Sequence, residues 1–408
     1  MHILFLTDNY PPEVNAPSSR TFEHALEWQK LGWKVIILTT APNFPKGKVF
    51  AGYKNKIWQT EVHHGIKIIR VWSFITSNSG FFLRTIDYIS FMITSILASV
   101  FVKKIDVVIG TSPQFFTVCS AFIVSKFKRA IFVFELRDLW PESIKSLNLI
   151  KNAYIFKVLE NIEIFLYKKA TLIISVTNSF KKHLINRGID GSKIHVITNG
   201  VNLKKFNKKP KNKKLLKKFN LENCFICGYI GTHGLAHGLE TLLKAAKFLK
   251  NNGLDDIKFL FLGDGAEKDK LIEYSEKEML TNVIFIDTVS RKDVSSYWSL
   301  LDVSIIHLKN IDTFKSVIPS KIFESMAVGI PLLHGVSGES QDLVQKNKVG
   351  ICFQSENEES LINSILKIKN NKKLYTFFQK NCEKSALKFD RSNLAKKMYN
   401  IINNYFKP

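Results

Sequence analysis

In the run FKSVIPSKIFESMAVGIP, residues 314–331, two lysines and a carboxylate surround what reads as a helix start. Ser320 is a good capping residue and Pro319 is tolerated at a first turn. Ile322, Phe323, Met326 and Ala327 recur at helical spacing and form an apolar face, with Glu324 off that face, one turn in. Gly329 ends the helix, and Ile330–Leu333 reads as a short buried strand. The free N–H groups of a helix start, flanked by Lys315 and Lys321, suit an anion. A carboxylate one turn away can accept two hydrogen bonds from a diol. Diphosphate plus ribose describes a nucleotide-sugar. The same residues also fit a solvated amphipathic helix with ordinary surface lysines, and the stretch alone leaves both readings open.

Two further places concentrate chemistry. GYIGTHGLAHGLETL is a strand, a glycine-bearing turn and a helix start. Backbone N–H groups of Gly231, Thr232, His233 and Gly234 are suited to cradle a diphosphate, and His233 either bonds the phosphate or is a plain loop histidine. The Gly263-Asp264-Gly265 turn ends the next strand at the same edge, or is a simple turn. In the first half, ELRDLWPES crowds Glu135, Arg137, Asp138 and Glu142 at the carboxyl end of a strand, where doubly wound sheets bind ligands. A salt-bridged loop is the alternative.

These residues need a frame, and 408 residues with 45% hydrophobic content supply two globular cores. Short apolar runs alternate with helical patterns throughout. In the first half strands are predicted at His2–Thr7, Lys34–Thr39, Ile66–Trp72, Asp106–Gly110, Ala130–Glu135, Thr171–Val176 and Lys193–Thr198, with a helix over roughly Arg20–Leu31. In the second they fall at Phe225–Ile230, Ile257–Leu262, Val283–Ile286, Val303–His307, Ile330–Leu333 and Val349–Phe353. Such alternation predicts an α/β chain with two Rossmann-like doubly wound domains. Asn9–Arg20 and Pro42–Tyr53 are loops at the ligand-binding edge.

Phe81–Lys104 is ambiguous: a membrane span, a buried helix covering the sheet, or a helix lying on a membrane surface. Asp87, Ser90, Ser95 and Ser99 argue against a span. The formal charge of +24 suits anionic lipid or phosphorylated substrates, and no nucleic-acid motif accompanies it. The lysine-rich run Lys204–Lys218 reads as a solvated edge. Five cysteines suggest a reducing compartment, and Cys224 and Cys227, a lone CxxC in an apolar strand, suit core packing better than metal or redox use. Met1–Thr7 enters a strand directly, so no signal peptide is expected.

PSKIFESMAVGIPLL resembles the signature of retaining glycosyltransferase family 4, which has the GT-B fold, and DLWPES and Asn199-Gly200-Val201-Asn202 resemble further elements of that family. The PSK form is similar to a branch of bacterial O-antigen and capsule transferases that add N-acetyl-fucosamine-type sugars. The resemblance implies domains at 1–200 (acceptor) and 201–388 (nucleotide-sugar) facing across a cleft, with a helix over 389–408 crossing back. Glu324 would then hold the donor ribose, Ser320 and Gly263 would border the donor, and Asp287 would lie under the base. Asn15, Arg20 and Arg137 would face the acceptor, with Asn15 in a turn where the family commonly has glycine and where positive φ is tolerated.

Two departures matter. The first Glu of the family's Glu-x7-Glu pair is Ser316 here, and its cation pair is replaced by Thr232 and His237. Lys315 and Lys321 are therefore expected to stabilise the leaving diphosphate, without metal or cofactor. Asp138 and Glu142 are candidates for taking the acceptor's proton. No nucleophile for double displacement stands out, which favours a front-side retaining mechanism. The implied activity is transfer of a sugar from a UDP-sugar to a polyprenyl-linked acceptor at the inner face of the plasma membrane, by a cytoplasmic, peripherally bound enzyme. A non-catalytic nucleotide-sugar or polyanion binder, and a sugar epimerase of similar fold, are the alternatives.

Overall fold

The computed structural model describes residues 1–44, 46–76, 81–146, 152–290 and 293–406. Pro45, in the expected loop Pro42–Tyr53, lies outside the described residues. The chain divides into two units: Met1–Thr198 with Arg391–Pro408, and Asn199–Asp390. Both are Rossmann-like α/β domains.

The first unit holds strands β1 (His2–Leu6), β2 (Lys34–Thr40), β3 (Trp58–His63), β4 (Ile66–Val71), β5 (Val107–Thr111), β6 (Ile131–Leu136), β7 (Leu172–Ser175) and β8 (Ile194–Val196). They form one sheet in the order β3-β4-β2-β1-β5-β6-β7-β8, parallel except for β3. The edge strand β3 was not expected. Its sequence, WQTEVH, is polar and half-exposed, so it lacks the apolar run that marks the buried strands. The available signal was the turn: His64 (φ 51°) and Gly65 (φ 80°) are both left-handed, as a two-residue hairpin requires.

Helix α1 runs Ala16–Lys30, starting four residues before the expected Arg20 because Asn15 caps it, accepting from the Ser18 N–H at 2.9 Å, with Pro17 in the first turn. Asn15 is extended at φ −132°, so the expected positive-φ turn is absent. Helix α2, Phe81–Val100, packs on α3, Phe115–Lys128, and reaches β4 and β2. It buries Phe91, Ser95, Ala98 and Ser99 while Phe82, Ile93 and Leu97 face outward, so it covers the sheet with one face and leaves the other exposed. Among the described residues α2 is the one helix long and apolar enough to cross a membrane. A further helix, α4, spans Ala153–Lys169.

The second unit holds β9 (Phe225–Ile230), β10 (Ile257–Leu262), β11 (Val283–Ile286), β12 (Val303–His307), β13 (Leu332–Gly335) and β14 (Gly350–Cys352), all parallel, in the order β11-β10-β9-β12-β13-β14. Helix α5, Glu240–Asn251, follows β9, and α6, Lys321–Ala327, precedes β13. β13 begins two residues later than expected. Gly329 turns left-handed and the Ile330 N–H closes on the Ser325 carbonyl at 2.9 Å, so that residue finishes the helix instead of starting the strand.

The last helix, α7 (Arg391–Asn404), completes the core of the first unit. The Trp28 indole donates to the Ala395 carbonyl at 3.0 Å, Arg391 pairs with Glu23 at 2.6 Å, and Tyr399 packs on Trp33. Nearby, Arg20 is buried with Glu135, both side chains at most 2% exposed. Its guanidinium donates to Glu135 and to the carbonyls of Ile197 and Thr198. Arg20 therefore fastens β6 to the segment after β8 and is committed within the domain, which corrects its expected place against an acceptor phosphate. Arg20→Met, by stranding the Glu135 carboxylate, is expected to cost about 3–5 kcal/mol in urea unfolding at neutral pH.

Candidate functional site

The strongest constellation lies in the second unit, where β9 and β10 end. Gly231, at φ 147°, follows β9, and its N–H bonds the Leu262 carbonyl at 2.8 Å. A Cβ at Gly231 would sit 2.2 Å from the Lys321 Cε and 2.6 Å from its Nζ. A Cβ at Gly263 would lie 1.9 Å from the Gly231 carbonyl oxygen. Gly263 thus lets adjacent strand ends touch, and Gly231 leaves room for a lysine from α6.

The Lys321 ammonium donates to the Tyr229 hydroxyl at 2.6 Å and lies 3.9 Å from the centre of that ring. Tyr229, buried in β9, passes its own proton to the Thr232 carbonyl at 2.7 Å. Burial pushes the Lys321 amine down to about 7, against a smaller upward pull from Glu324. Lys321 is therefore not the permanent cation the sequence suggests: near neutrality it titrates.

The histidines around it are neutral. His233 is fully buried among Tyr229, Phe261 and Phe285, and neither ring nitrogen has a hydrogen-bond partner among the described residues. Burial, with Lys268 and Lys321 nearby, lowers it to about 4. Burial and Lys321 lower His237 to about 3. Its ring faces the Gly234 carbonyl, and its carbonyl meets His307 Nδ1 at 2.7 Å. An uncharged His237 cannot replace a cation, so charge at this turn rests on Lys321.

The structure gathers Gly231, Thr232, His233, Gly234, Gly263 and Lys321 at one sheet edge. Ser320 and Glu324 stand on the same short helix as Lys321, although the Ser320 side chain makes no capping bond. Lys315 is elsewhere in its bonding: it pairs with Asp312 at 2.6 Å within its own 3-10 turn and is half-exposed. Asp287 pairs with Lys268, which also donates to the Gly263 carbonyl at 3.0 Å. Sequence reading missed Tyr229 and Lys268. A tyrosine in an apolar strand reads as core, whereas Lys268 had a signal, sitting five residues after Gly263 at a helix start.

In the first unit, Arg137 and Asp138 follow β6. The Arg137 guanidinium is buried beside Glu135, Arg20 and Arg391, with Nε and Nη1 unpartnered among the described residues. Burial lowers it to about 10, Glu135 opposing. Asp138 is pushed up to about 6 by burial, against hydrogen bonds from Ser143 and Leu139. Glu142 faces His183 at 3.3 Å and Arg187 at 3.8 Å, and Arg187 also holds Glu160 and Glu163. Of the two proton-acceptor candidates, Asp138 has the pKa suited to general-base work near neutrality. Glu142 is held below the usual range: burial raises it, but His183 and Arg187 outweigh burial.

The sequence was compared with known proteins. Residues 18–205 match the family model "Glycosyltransferase Family 4" and residues 210–385 match "Glycosyl transferases group 1". The two matched stretches correspond to the two Rossmann-like units, and the fold is that of GT-B proteins. It is 26% identical over 218 residues to TuaH of Bacillus subtilis, a protein named for teichuronic acid biosynthesis, covering 52% of this chain and 52% of that one. It is 26% identical over 228 residues to the Escherichia coli UDP-Gal:alpha-D-GlcNAc-diphosphoundecaprenol alpha-1,3-galactosyltransferase, covering 54% and 57%. The chain thus spans little more than half the length of these curated relatives. Its fold is similar to that of Anabaena HepE (Alr3699), solved with UDP-glucose: TM-score 0.74, 17% identity, 99% of this chain and 100% of that one.

The Lys321 assignment is open to direct test. In lysine-selective NMR the Lys321 ε-carbon should titrate near pH 7 instead of the ordinary 10.5. A curve flat to pH 9 would remove the buried, partly neutral amine.

Proposed function

We propose that the chain is a metal-independent, retaining glycosyltransferase. Its donor is a UDP-sugar, of the N-acetylated deoxyhexose class such as N-acetyl-fucosamine, and its acceptor a polyprenyl-diphosphate-linked glycan. The observation that carries this is Lys321 laid over the Gly231 turn, an amine with donors to spare beside a glycine-bearing turn at the carboxyl end of a parallel sheet. Such an edge is where nucleotide diphosphates bind. Glu324 takes the ribose hydroxyls. Relatives support the donor and acceptor classes: HepE was solved with UDP-glucose and the Escherichia coli relative is named for a diphosphoundecaprenol-linked substrate.

As the glycosidic bond to the donor breaks, charge grows on the leaving diphosphate. A diphosphate raises the pKa of an adjacent amine, so Lys321 gains its proton when donor binds and is charged when it matters. Retention without a protein nucleophile follows if the departing phosphate helps to take the acceptor's proton, with Asp138, whose pKa is raised to about 6, the carboxyl suited to receive it. With saturating UDP-sugar and a lipid-linked acceptor, Lys321→Ala is expected to raise the barrier by about 2.7–4 kcal/mol, as loss of one preorganised donor does. His237→Ala should cost clearly less. The reverse order in kcat would return the cationic role to the histidine. Donor binding that survives in the wild type without any transfer would instead favour a non-catalytic binder.

The working place is the inner face of the plasma membrane. Where α2 and α3 end together, Phe101 (75% exposed) and Phe127 (62%) project beside Leu97 and Trp58. Lys128 joins the two helices through the Val100 carbonyl, and Lys103, Lys104 and Lys126 surround the tip. Apolar groups ringed by lysine suit an anionic bilayer surface. The protein is expected to sediment with phosphatidylglycerol vesicles at low salt and to be released as ionic strength rises. Phe101→Asp with Phe127→Asp should abolish sedimentation; retention by that variant would place the contact elsewhere.

A further inference from the structure

Tyr229 has no place in the reading of the sequence, yet it touches Lys321, Thr232, His233 and His237 at the donor edge. Its side chain is 1% exposed. Its hydroxyl is used twice: it donates to the Thr232 carbonyl and accepts from Lys321. The first bond fixes the Gly231–Gly234 turn, in which the Gly231 and His233 N–H groups are already bonded to the Leu262 and Asp264 carbonyls. The second holds the lysine that covers that turn. The space for this lysine exists only because residue 231 is glycine, and the ring of Tyr229 supplies its floor. No other hydrogen bond of the Lys321 ammonium is found among the described residues, so two of its N–H bonds remain for a ligand.

We propose that Tyr229 is a positioning residue: its hydroxyl joins the Gly231–Gly234 turn to Lys321, so that turn and cation bind a nucleoside diphosphate as one unit. This rests on the donor reading above. Because the hydroxyl proton is spent on Thr232, the oxygen faces Lys321 as an acceptor only. It therefore stabilises the charged amine over the neutral one. The other ionisable groups facing Lys321 are His233 and His237, from the turn after β9, and Glu324, from its own helix. Both histidines are uncharged near neutrality, and Lys268 and Asp264 act on His233 one step further out. Loss of the tyrosine hydroxyl thus shifts the amine toward neutrality, with Glu324 as the remaining support for its charge.

The test is a double-mutant cycle on UDP binding, read by calorimetry between about pH 7.5 and 9, above the titration of UDP's own terminal phosphate, with Tyr229→Phe, Lys321→Ala and the pair. Phenylalanine keeps the ring, so thermal unfolding should show a folded domain. Tyr229→Phe is expected to weaken UDP roughly tenfold at pH 8, the lower end for a hydrogen bond to a charged group. It should also move the alkaline loss of affinity to lower pH. In the Lys321→Ala background the same change should have little effect, and the pH dependence should already be gone. An equal loss in both backgrounds, or no loss in either, overturns the positioning role while leaving the donor site intact. If Lys321→Ala alone leaves UDP affinity unchanged, the donor reading falls and the positioning role with it.

Discussion

A primary amine buried in a domain's interior edge is costly unless something pays its charge back, and in this protein the cost falls on Lys321. The side chain reaches across from α6 to the end of β9. Everything around it is shaped by that reach. Gly231 has no side chain because the lysine occupies the space, and Gly263 has none because the Gly231 carbonyl does. Tyr229 provides one acceptor and a ring face. That support is incomplete, and the amine drops toward neutrality. A site with spare donors and insufficient negative charge is prepared for an anion. The ligand then supplies what the protein lacks, and binding energy goes into charging the group that later meets the leaving phosphate.

The first unit handles buried charge in the opposite way. Arg20 and Glu135 are paired and saturated with carbonyl bonds, so they fasten the sheet and are not offered to a ligand. Glu142 is likewise spent within an Arg187 network. Arg137 and Asp138, in the same loop, are left with donors unpartnered among the described residues and a raised pKa respectively. One loop thus contains both kinds of residue, and composition does not separate them. Only the partners do.

This explains how far the sequence could be read. The second-unit strands from β9 to β12 fall where their apolar runs begin and end, because parallel strands buried on both faces have no other pattern. β3 escaped because its exposed face carries no such run, and Arg20 misled because an arginine facing an acceptor and one in a buried ion pair look alike in one dimension. Asn15 was placed in a turn by analogy, but local chemistry made it a helix cap. Lys321 was legible as a cation at a helix start. Its weakened charge was not, because desolvation comes from residues nearly a hundred positions away, and Tyr229 gave no sign beyond an aromatic in a strand.

The claim at the centre is that anion binding charges Lys321. Calorimetry of UDP-N-acetylglucosamine binding at pH 8, repeated in buffers of different ionisation enthalpy, measures it directly, since the diphosphate diester does not itself titrate there. With a free amine near 7, about 0.9 of the sites begin neutral, so the account predicts uptake approaching one proton per sugar nucleotide bound, abolished in Lys321→Ala. Binding with no proton uptake by the wild-type protein would contradict it.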